Sequence, residues 1–232
     1  MKVLILTTTF PRWKHDTTPA FVYELSKRLQ ENGFEIFVLA PHHDGAKRFE
    51  IMDEMKVYRF PYFYPKKYQK LAYEGGILPN LKRSNLAKIQ APLLFLSELF
   101  YAFKIIKKEK IDVIHSHWMI SSGLVGGICK KVLGKRHILT EHIAGLVALE
   151  KLPLEEKIAN FILGNSDKVT VVSSYIHGRL LNLIRPKMLD NIKNKIEIIS
   201  MGVDTSIFRP NVDKNELKIK YNIKSENVLL FL

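Results

Sequence analysis

Asp112-Val113-Ile114-His115-Ser116-His117-Trp118 is the stretch that decides the fold, and Ser121-Ser122-Gly123 follows it closely. Two apolar residues run directly into two histidines and a tryptophan, the pattern of a buried strand that ends in polar groups. Gly123, Gly126 and Gly127 would let the next helix pack tightly against a sheet. Because ligands bind at the carboxyl ends of the strands in open α/β sheets, we expect the functional site here.

Strand and helix patterns alternate along most of the chain. Strands are predicted at 2–7, 34–40, 56–60, from Asp112 onward, and at 136–140, 168–172 and 195–199, and helices at 19–31, 92–108, 121–133, 153–163 and 175–184. Thr18 is the predicted N-cap of the first helix, with Pro19 at its first position. The alternation predicts an α/β fold with a doubly wound, Rossmann-like parallel sheet.

The C-terminal tail has a different pattern. Phe208-Arg209-Pro210-Asn211 is typical of a linker, Asp213 and Glu216 resemble a capping box before a short helix, and 228–232 is an apolar strand. An uncovered apolar strand is an unusual end for a domain. We therefore expect one domain over 1–210, and over 211–232 a linker and the first strand of a second domain.

Composition indicates an ordinary globular protein of 232 residues. A single cysteine, Cys129, excludes an internal disulfide and lies in an apolar stretch, so we expect it to be buried and inert. The apolar run at 1–6 is too short for a signal peptide, and the apolar stretch 92–106 falls short of the roughly 20 residues that span a bilayer. These features predict a cytoplasmic protein.

The chain is strongly basic, with a formal charge of +13 and an isoelectric point near 9.7. Basic surfaces attract lipid headgroups, nucleotides and nucleic acids. In the loop 61–70, Lys66, Lys67 and Lys70 alternate with aromatic residues, which would suit an anionic membrane or an acceptor. A solvated lysine-rich loop is the competing interpretation.

Histidines cluster in the segments that end the predicted strands: His15, His42, His43, His115, His117 and His142. His115 and His117 would point the same way along a strand, which permits a metal site with His142 as the third ligand. No carboxylate or thiolate with ligand spacing accompanies them, so we predict no metal. His115 fits a structural role, and His117 is the better candidate for a ligand contact.

Several enzyme classes lack their sequence motifs in this chain. The P-loop pattern G-x-x-x-x-G-K-[ST] and the hydrolase pattern G-x-S-x-G do not occur. The first strand-to-helix loop, 7–18, contains no glycine, so the dinucleotide pattern G-x-G-x-x-G is missing. A P-loop NTPase, a serine hydrolase of this type and a generic NAD enzyme are therefore disfavoured.

The chain resembles retaining glycosyltransferases of family 4, which have the two-domain GT-B fold. Three features, in the same order along the chain, carry the resemblance. They are the opening strand with Phe10-Pro11 and the strand Gly33-Phe34-Glu35-Ile36-Phe37-Val38, then 112–118, then Ile198-Ile199-Ser200-Met201-Gly202-Val203-Asp204 with Phe208-Arg209-Pro210. The resemblance covers nearly the whole chain and identifies it as the N-terminal half of such an enzyme. The N-terminal domain would then bind the acceptor, and a C-terminal domain the nucleotide sugar.

The resemblance implies retention during transfer to a lipid, glycan or small-molecule acceptor at the cytoplasmic membrane face. It assigns His117 a catalytic contact to the donor sugar or its diphosphate, which helix amides near Thr17 and Thr18 would help to hold. The implied substrate-binding residues are Arg12, Thr17, Thr18, Trp118, Glu141, His142 and Ser173, and Gly202 and Asp204 would form the interdomain hinge. It implies a nucleotide-sugar donor as substrate, with no metal and no other cofactor.

The sequence departs from the family pattern at three places. A usual Gly-Gly pair is Thr17-Thr18-Pro19 here, a usual His-Gly is His142-Ile143, and a usual Asn-Gly-Val-Asp is Met201-Gly202-Val203-Asp204. The basic residues and paired glutamates of a donor domain do not occur before Leu232, so we expect the chain alone to be inactive. Two alternatives are a non-enzymatic basic module that binds anionic membrane or nucleic acid, and an epimerase or phosphorylase of the GT-B type.

Overall fold

The computed structural model describes residues 1–14, 16, 18–206, 208 and 213–229. The chain divides into two compact units, Met1–Met201 and Gly202–Leu232. The first unit holds the whole sheet. It belongs to the α/β class, as the alternating sequence pattern predicts.

Eight strands form one sheet in the first unit. They are β1 (Lys2–Leu6), β2 (Glu35–Pro41), β3 (Phe49–Met52), β4 (Met55–Phe60), β5 (Val113–His117), β6 (Arg136–Glu141), β7 (Lys168–Val171) and β8 (Ile196–Ile198). Their order across the sheet is β3-β4-β2-β1-β5-β6-β7-β8. All neighbouring pairs are parallel except β3 and β4.

Helices follow the strands along the chain. In the first unit they are α1 (Phe21–Glu31), α2 (Ile77–Arg83), α3 (Asn85–Glu109), α4 (Leu124–Leu133), α5 (Ala144–Leu149), α6 (Glu155–Gly164), α7 (Ser174–Asn182) and α8 (Pro186–Lys193). A short 3₁₀ turn covers Lys66–Tyr68, and an irregular turn covers Met119–Gly123 between β5 and α4.

Side chains alternate between the two faces of the sheet and are covered by helices on both. Leu4 and Leu6 of β1 pack in a core with α3 and α4, whereas Val3 and Ile5 pack with Val22 of α1. A further core joins β6, β7 and β8 to α5, α6, α7 and α8. Burial on both faces explains the nearly continuous apolar runs of the central strands.

Glycines allow α4 to lie directly on the sheet, as the sequence predicts. A Cβ atom at Gly126 would lie 2.3 Å from Nε2 of His137 and 2.4 Å from Oγ of Ser116. At Gly123 it would lie 2.9 Å from the carbonyl oxygen of Trp118. Only a residue without a side chain fits at these positions.

The sheet has an antiparallel edge that was not predicted from the sequence. Strand β3 pairs with β4 in a hairpin whose turn residues, Asp53 and Glu54, both have positive φ angles. Glycine and asparagine are the usual residues for such a turn, so Asp-Glu gave no turn signal. The predicted third strand, 56–60, is therefore the fourth.

Several predicted helix starts are wrong. Helix α1 begins at Phe21 with Ala20 as N-cap, while the Thr18 hydroxyl donates to Asp16 instead of capping α1. Helix α3 begins at Asn85, where the Ser84 side chain accepts a hydrogen bond from the Ala87 amide, so Pro92 lies inside the helix rather than at its start. The helix predicted from Ser121 begins at Leu124, because the backbone of Ile120 is extended. Helices α2, α5 and α8 were not predicted.

The second unit contains helix α9 (Lys214–Lys220) among its described residues. The Asp213 side chain accepts hydrogen bonds from the amides of Asn215 and Glu216, as a capping residue does. Val228 and Leu229 of the predicted last strand are not in a strand, and 230–232 lie outside the described residues. Residues 209–211 of the predicted linker lie outside them as well.

Candidate active site at the carboxyl edge of the sheet

Strand β5 carries both histidines of the opening stretch to the carboxyl edge of the sheet. His115 and His117 lie on the same face, with ring centroids 4.5 Å apart. Nε2 of His115 lies 2.8 Å from the hydroxyl of Thr140 on the neighbouring strand β6. His115 is therefore held by the sheet, as its predicted structural role requires.

His117 pairs with His142, the residue that follows β6. Nδ1 of His117 lies 2.9 Å from Nε2 of His142, and the two rings are stacked with an angle of 16° between their planes. Strand pairing produces this contact, because β5 and β6 are parallel neighbours with His117 opposite Thr140. The structure thus brings together two of the predicted site residues.

Aromatic rings enclose this histidine pair. Phe21, at the start of α1, lies 4.9 Å from the His142 ring and 5.8 Å from the Trp118 indole, measured between centroids. Trp118 has a positive φ of 67°, which turns the chain away from β5 immediately after His117. His117 is fully buried as a result, and Trp118 keeps only 7% of its surface exposed.

Burial keeps these imidazoles neutral. It lowers the pKa of His115 and of His142 to about 4. Burial also lowers the pKa of His117 well below its ordinary value, and the neighbouring imidazoles of His115 and His142 add to that shift. A neutral imidazole has one donor and one acceptor nitrogen.

One nitrogen of His117 has no partner within the described part of the chain. Nε2 is buried and makes no hydrogen bond, whereas Nδ1 is paired with His142. Depending on the tautomer, Nε2 is either an unused N–H donor or an unused acceptor. Unpaired buried polar atoms are uncommon in folded proteins, so this nitrogen is suited to a hydrogen bond with a ligand.

A polar cavity of about 570 Å³ adjoins the ring cluster and is lined by three predicted site residues, Arg12, Thr18 and Trp118. Its remaining lining residues are Thr9, Pro19, Phe21, Tyr73, Glu74, Gly75 and Gly76. The cavity therefore lies beside the start of α1, at the end of the sheet where the predicted site belongs.

Arg12 is held in position by an acidic partner and two aromatic rings. It forms an ion pair of 2.7 Å with Asp16, and its guanidinium lies 4.5 Å from the Trp13 ring and 5.5 Å from the Tyr73 ring. The Thr18 hydroxyl donates to the same carboxylate at 2.7 Å. Although burial raises the pKa of Asp16, these hydrogen bonds outweigh it and keep Asp16 ionised.

A second cavity, of about 370 Å³, shares Thr9, Tyr73, Gly75, Gly76 and Trp118 with the first. Its other walls are mostly apolar: Leu71, Ile77, Leu78, Pro79, Leu81, Ala91, Leu94, Ile120, Ala144, Ala148 and Leu152 are among them. The site therefore combines a polar compartment near Arg12 with an apolar one between α2, α3 and α5. Such a pair would suit a ligand with a polar and an apolar end.

Glu141 lies beneath the site and bonds to backbone amides. Its carboxylate accepts from the Met119 amide at 2.7 Å and the Leu146 amide at 3.2 Å, which ties the turn after β5 to α5. Burial raises its pKa to about 7, against the opposing effect of those amides. The predicted role of Glu141 in substrate binding stays a prediction.

A second buried carboxylate, Glu98 of α3, holds the same turn through its serine hydroxyls. It accepts hydrogen bonds from the hydroxyls of Ser121 and Ser122, the latter at 2.6 Å. Burial raises its pKa to about 7, and the two hydroxyls partly offset that shift. The sequence signal for Glu98 was a lone carboxylate within an apolar helix.

Other predicted site residues lie elsewhere or outside the described residues. Ser173 caps α7, where its hydroxyl accepts from the Ile176 amide at 3.3 Å, and it does not line either cavity. Asp204, in the second unit with Gly202, accepts from the amide and hydroxyl of Ser206. Thr17 lies outside the described residues, so its predicted contact stays a prediction.

The described histidines of the predicted cluster do not form one assembly. Nε2 of His43 lies 3.4 Å from Nη1 of Arg12. His42 is buried, and its ring nitrogens lie within hydrogen-bond distance of the Gln69 side chain and the carbonyl oxygen of Ala46. His15 lies outside the described residues. Within the described ranges, no group of three or more His, Cys, Asp or Glu side chains is arranged to hold a metal ion.

The loop that closes the cavities was not predicted from the sequence. Tyr73, Glu74, Gly75 and Gly76 all have positive φ angles, which folds the chain sharply before α2. Gly75-Gly76 was the available signal, because paired glycines are typical of such conformations. Their position far from β1 in sequence gave no indication that they lie near Arg12.

Residues 19–207 match the family model described as Glycosyltransferase Family 4. The chain belongs to glycosyltransferase family 4. The match covers most of the chain, including β5, the histidine pair and most of the cavity lining. It favours the transferase interpretation over a non-enzymatic basic module or an epimerase.

Two curated relatives are similar to this family 4 chain. An uncharacterized glycosyltransferase of Methanocaldococcus jannaschii is 32% identical over 152 residues, which are 64% of this chain and 39% of the relative. The N-acetyl-alpha-D-glucosaminyl L-malate synthase of Bacillus anthracis is 24% identical over 132 residues, 56% of this chain and 33% of the relative. The chain therefore matches only about two fifths or less of either relative's length.

Several solved structures share the fold. The match to a trehalose-6-phosphate synthase covers 96% of this chain and 55% of the synthase chain, at a TM-score of 0.60 and 11% identity. A sucrose-phosphate synthase chain of Thermosynechococcus elongatus matches 96% of this chain with 98% of its own, at a TM-score of 0.53 and 13% identity. Anabaena HepE in complex with UDP matches 96% with 50% of its chain, at a TM-score of 0.53 and 12% identity. The family 4 chain thus has the N-terminal α/β domain of the GT-B fold.

Proposed function

We propose that this chain is the acceptor-side domain of a glycosyltransferase that transfers a sugar from a nucleotide-sugar donor with retention of configuration. The acceptor binds in the two adjoining cavities, and the donor approaches from the side of His117. The observation that carries the proposal is the buried, unpartnered Nε2 of His117, whose ring is held by His142 and packs against Trp118. Trp118 in turn lines a cavity together with Arg12.

Nε2 of His117 supplies a hydrogen bond to the donor sugar or its diphosphate. The bond costs little reorganisation, because Nδ1 is already paired with His142 and the ring packs against His115, Trp118 and His142. Fixed hydrogen-bonding groups in a water-excluded site stabilise the charge that develops as the diphosphate departs. His117 stays neutral in this role, since burial keeps its pKa far below neutrality.

The start of α1 contributes to binding of the departing diphosphate. Pro19 and Phe21 line the polar cavity, and the N-cap residue Ala20 provides no side-chain hydrogen bond to the first-turn amides. Free amides and the helix dipole favour anions at this position. UDP in the HepE structure supports a nucleotide-sugar donor for this chain as well.

The remaining parts of the proposal concern conditions and location. The reaction needs no metal and no cofactor besides the donor, and it takes place at the cytoplasmic face of a membrane, where Lys66, Lys67 and Lys70 contact anionic lipid. The acceptor is a lipid, glycan or small molecule. Donor binding also requires residues of a second domain, so the isolated chain is inactive.

Variants of the two histidines on β5 test the proposal in the longest open reading frame that contains this chain. His117→Asn is expected to lower kcat about 10²-fold, the usual effect of removing one such group. His115→Asn is the matched control, because His115 is on the same strand but already bonds to Thr140. Transfer is measured with a panel of nucleotide sugars, and the anomeric configuration of the product is read by NMR.

The two variants separate a donor contact from a structural effect. Equal losses in both variants, or inversion of the anomeric centre, would overturn the proposal. Turnover of any donor by the purified 232-residue chain alone would overturn the statement that a second domain is needed.

A further inference from the structure

Helix α3 exposes an apolar stripe to solvent along most of its length. Ile89, Leu93, Leu96 and Phe100 have between 39% and 64% of their surface exposed. Their spacing of four, three and four residues places them on one face of the helix. The opposite face packs in the core through Leu94, Ala102, Ile105 and Ile106. The stripe is therefore not needed to hold α3 on the sheet.

Basic residues lie at both ends of this stripe. Lys82 and Arg83 end α2 just before it, Lys88 lies beside Ile89, and Lys104 and Lys107 continue the exposed face after Phe100. Over Asn85–Glu109, all of which the structure describes, no exposed residue is acidic. An apolar centre with basic ends matches the interface of an anionic bilayer, where apolar side chains insert and lysines meet the headgroups.

The aromatic and lysine loop 61–70 lies along the side of α3. Gln90 accepts from the Lys70 amide at 2.9 Å and donates to the Tyr68 carbonyl at 2.6 Å, and the Ser97 hydroxyl donates to the Pro61 carbonyl at 2.7 Å. Tyr64 and Tyr68 are 63% and 45% exposed. Loop and stripe thus belong to one continuous surface.

We propose that this surface, formed by the α3 stripe and the loop 61–70 and here named the docking face, binds the surface of an anionic lipid bilayer with α3 parallel to it. The inference rests on the membrane contact of the proposed function and adds α3 to it. Helix α3 is long and apolar enough to cross a membrane by length and composition. Its buried residues belong to the core, so it lies on the bilayer rather than across it. The apolar side chains of the stripe insert into the bilayer, and the lysines add electrostatic attraction to the anionic headgroups.

A second copy of the chain suits the docking face less well than a bilayer. A symmetric dimer through this surface would bring the lysine-rich ends of two copies together, and like charges oppose such contact. Anionic lipid neutralises the same charges. Charge complementarity therefore selects the bilayer.

Vesicle binding by the chain tests the inference without any measurement of sugar transfer. The chain is sedimented with phosphatidylglycerol vesicles and with phosphatidylcholine vesicles at low and high salt. We expect at least tenfold weaker binding to phosphatidylcholine and a marked loss of binding to phosphatidylglycerol at high salt. Because no sugar donor is present, failure here and failure of the transferase proposal are distinguishable.

Two pairs of variants locate the contact. Leu96→Ser with Phe100→Ser should weaken binding at least tenfold, whereas Ile51→Ser with Val132→Ser, at exposed apolar sites off the docking face, should leave it unchanged. Lys88→Glu with Lys104→Glu should abolish binding, and Lys157→Glu with Lys187→Glu should weaken it far less. Circular dichroism confirms that each variant folds, as expected for exposed positions.

A fluorescent probe reports the depth of the stripe directly. Cys129 is buried, so a Leu96→Cys variant can be labelled at that position with an environment-sensitive dye. Its emission should shift to the blue with phosphatidylglycerol vesicles, while the same dye on Ile51→Cys should not respond. Equal binding of the stripe and control variants, no response at Leu96→Cys, or dimerisation through the stripe without vesicle binding would each overturn the inference.

Discussion

Nδ1 of His117 lies 2.9 Å from Nε2 of His142, and this contact fixes which nitrogen of His117 remains free for a ligand. The two histidines are 25 residues apart but are brought together by the parallel pairing of β5 and β6. His142 therefore acts on a ligand through His117 as well as through any contact of its own. That relationship makes His142 a positioning residue in the proposed mechanism.

His142→Phe should preserve the ring packing and remove the hydrogen bond. Phenylalanine can occupy the space between Phe21 and Trp118, but Nδ1 of His117 then loses its partner. We expect kcat to fall about tenfold, equivalent to about 1.4 kcal/mol. The free energy of unfolding should fall by about 1–3 kcal/mol, because a buried polar atom is left unpaired.

Ring ¹⁵N chemical shifts of His117 provide a readout that a merely structural role would not move. They should change in His142→Phe and stay unchanged in His177→Phe, on α7. If kcat falls while the His117 shifts stay as in the unaltered protein, His142 does not act by positioning His117.

Much of the fold could be predicted from the sequence because its strands are short apolar runs that end in polar groups. The stretch 112–118 indicated both the central strand and the site, and Gly126 indicated the close packing of α4. The antiparallel β3 was missed because its turn lacks the usual residues and half of its side chains are exposed. Such an edge strand has a weak apolar signal.

The site was harder to predict, because its contacts join segments that are distant in sequence. Arg12 could be selected as a basic residue in the first loop, but its pairing with Asp16 and its contact with Tyr73 depend on how that loop folds. Glu98 and Glu141 could not be distinguished from surface carboxylates by type. Only the structure shows that both are buried and hold the turn Met119–Gly123.

Gly145→Ala should destabilise the chain. An added Cβ would lie 2.5 Å from the Met119 nitrogen and 2.6 Å from Oε2 of Glu141, so the turn after β5 and α5 would have to separate. The expected loss is about 1–3 kcal/mol, the usual cost of overpacking. Gly178→Ala is the matched control, because its Cβ meets nothing within 4 Å inside α7. It should stabilise by about 0.5–1 kcal/mol, and urea unfolding measures both changes.

The pH dependence of stability should reveal Glu98. Its pKa rises from 4.5 to about 7 on folding because the carboxylate is buried. The protonated Glu98 side chain stabilises the folded chain fully below pH 4.5. This contribution to the free energy of unfolding is lost as the pH rises from 4.5 through 7, and the total loss is about 3 kcal/mol. Glu98→Gln cannot ionise and retains a hydrogen-bonding side chain, so it should become more stable than the unaltered chain above pH 7.

Comparing Glu98→Gln with the unaltered chain separates the pH effect of Glu98 from that of the buried histidines. The histidines change the stability with pH in the opposite direction. Burial lowers the pKa of His115, His137 and His142 to about 4, so their contribution is lost as the pH falls from about 6.5 to 4. These groups are common to both proteins and cancel in the difference between them. Urea unfolding from pH 4 to 8 should therefore show a difference that grows with pH for Glu98→Gln and stays flat for Glu156→Gln at an exposed site. A flat difference in both variants would mean that Glu98 ionises in the folded chain as readily as in water.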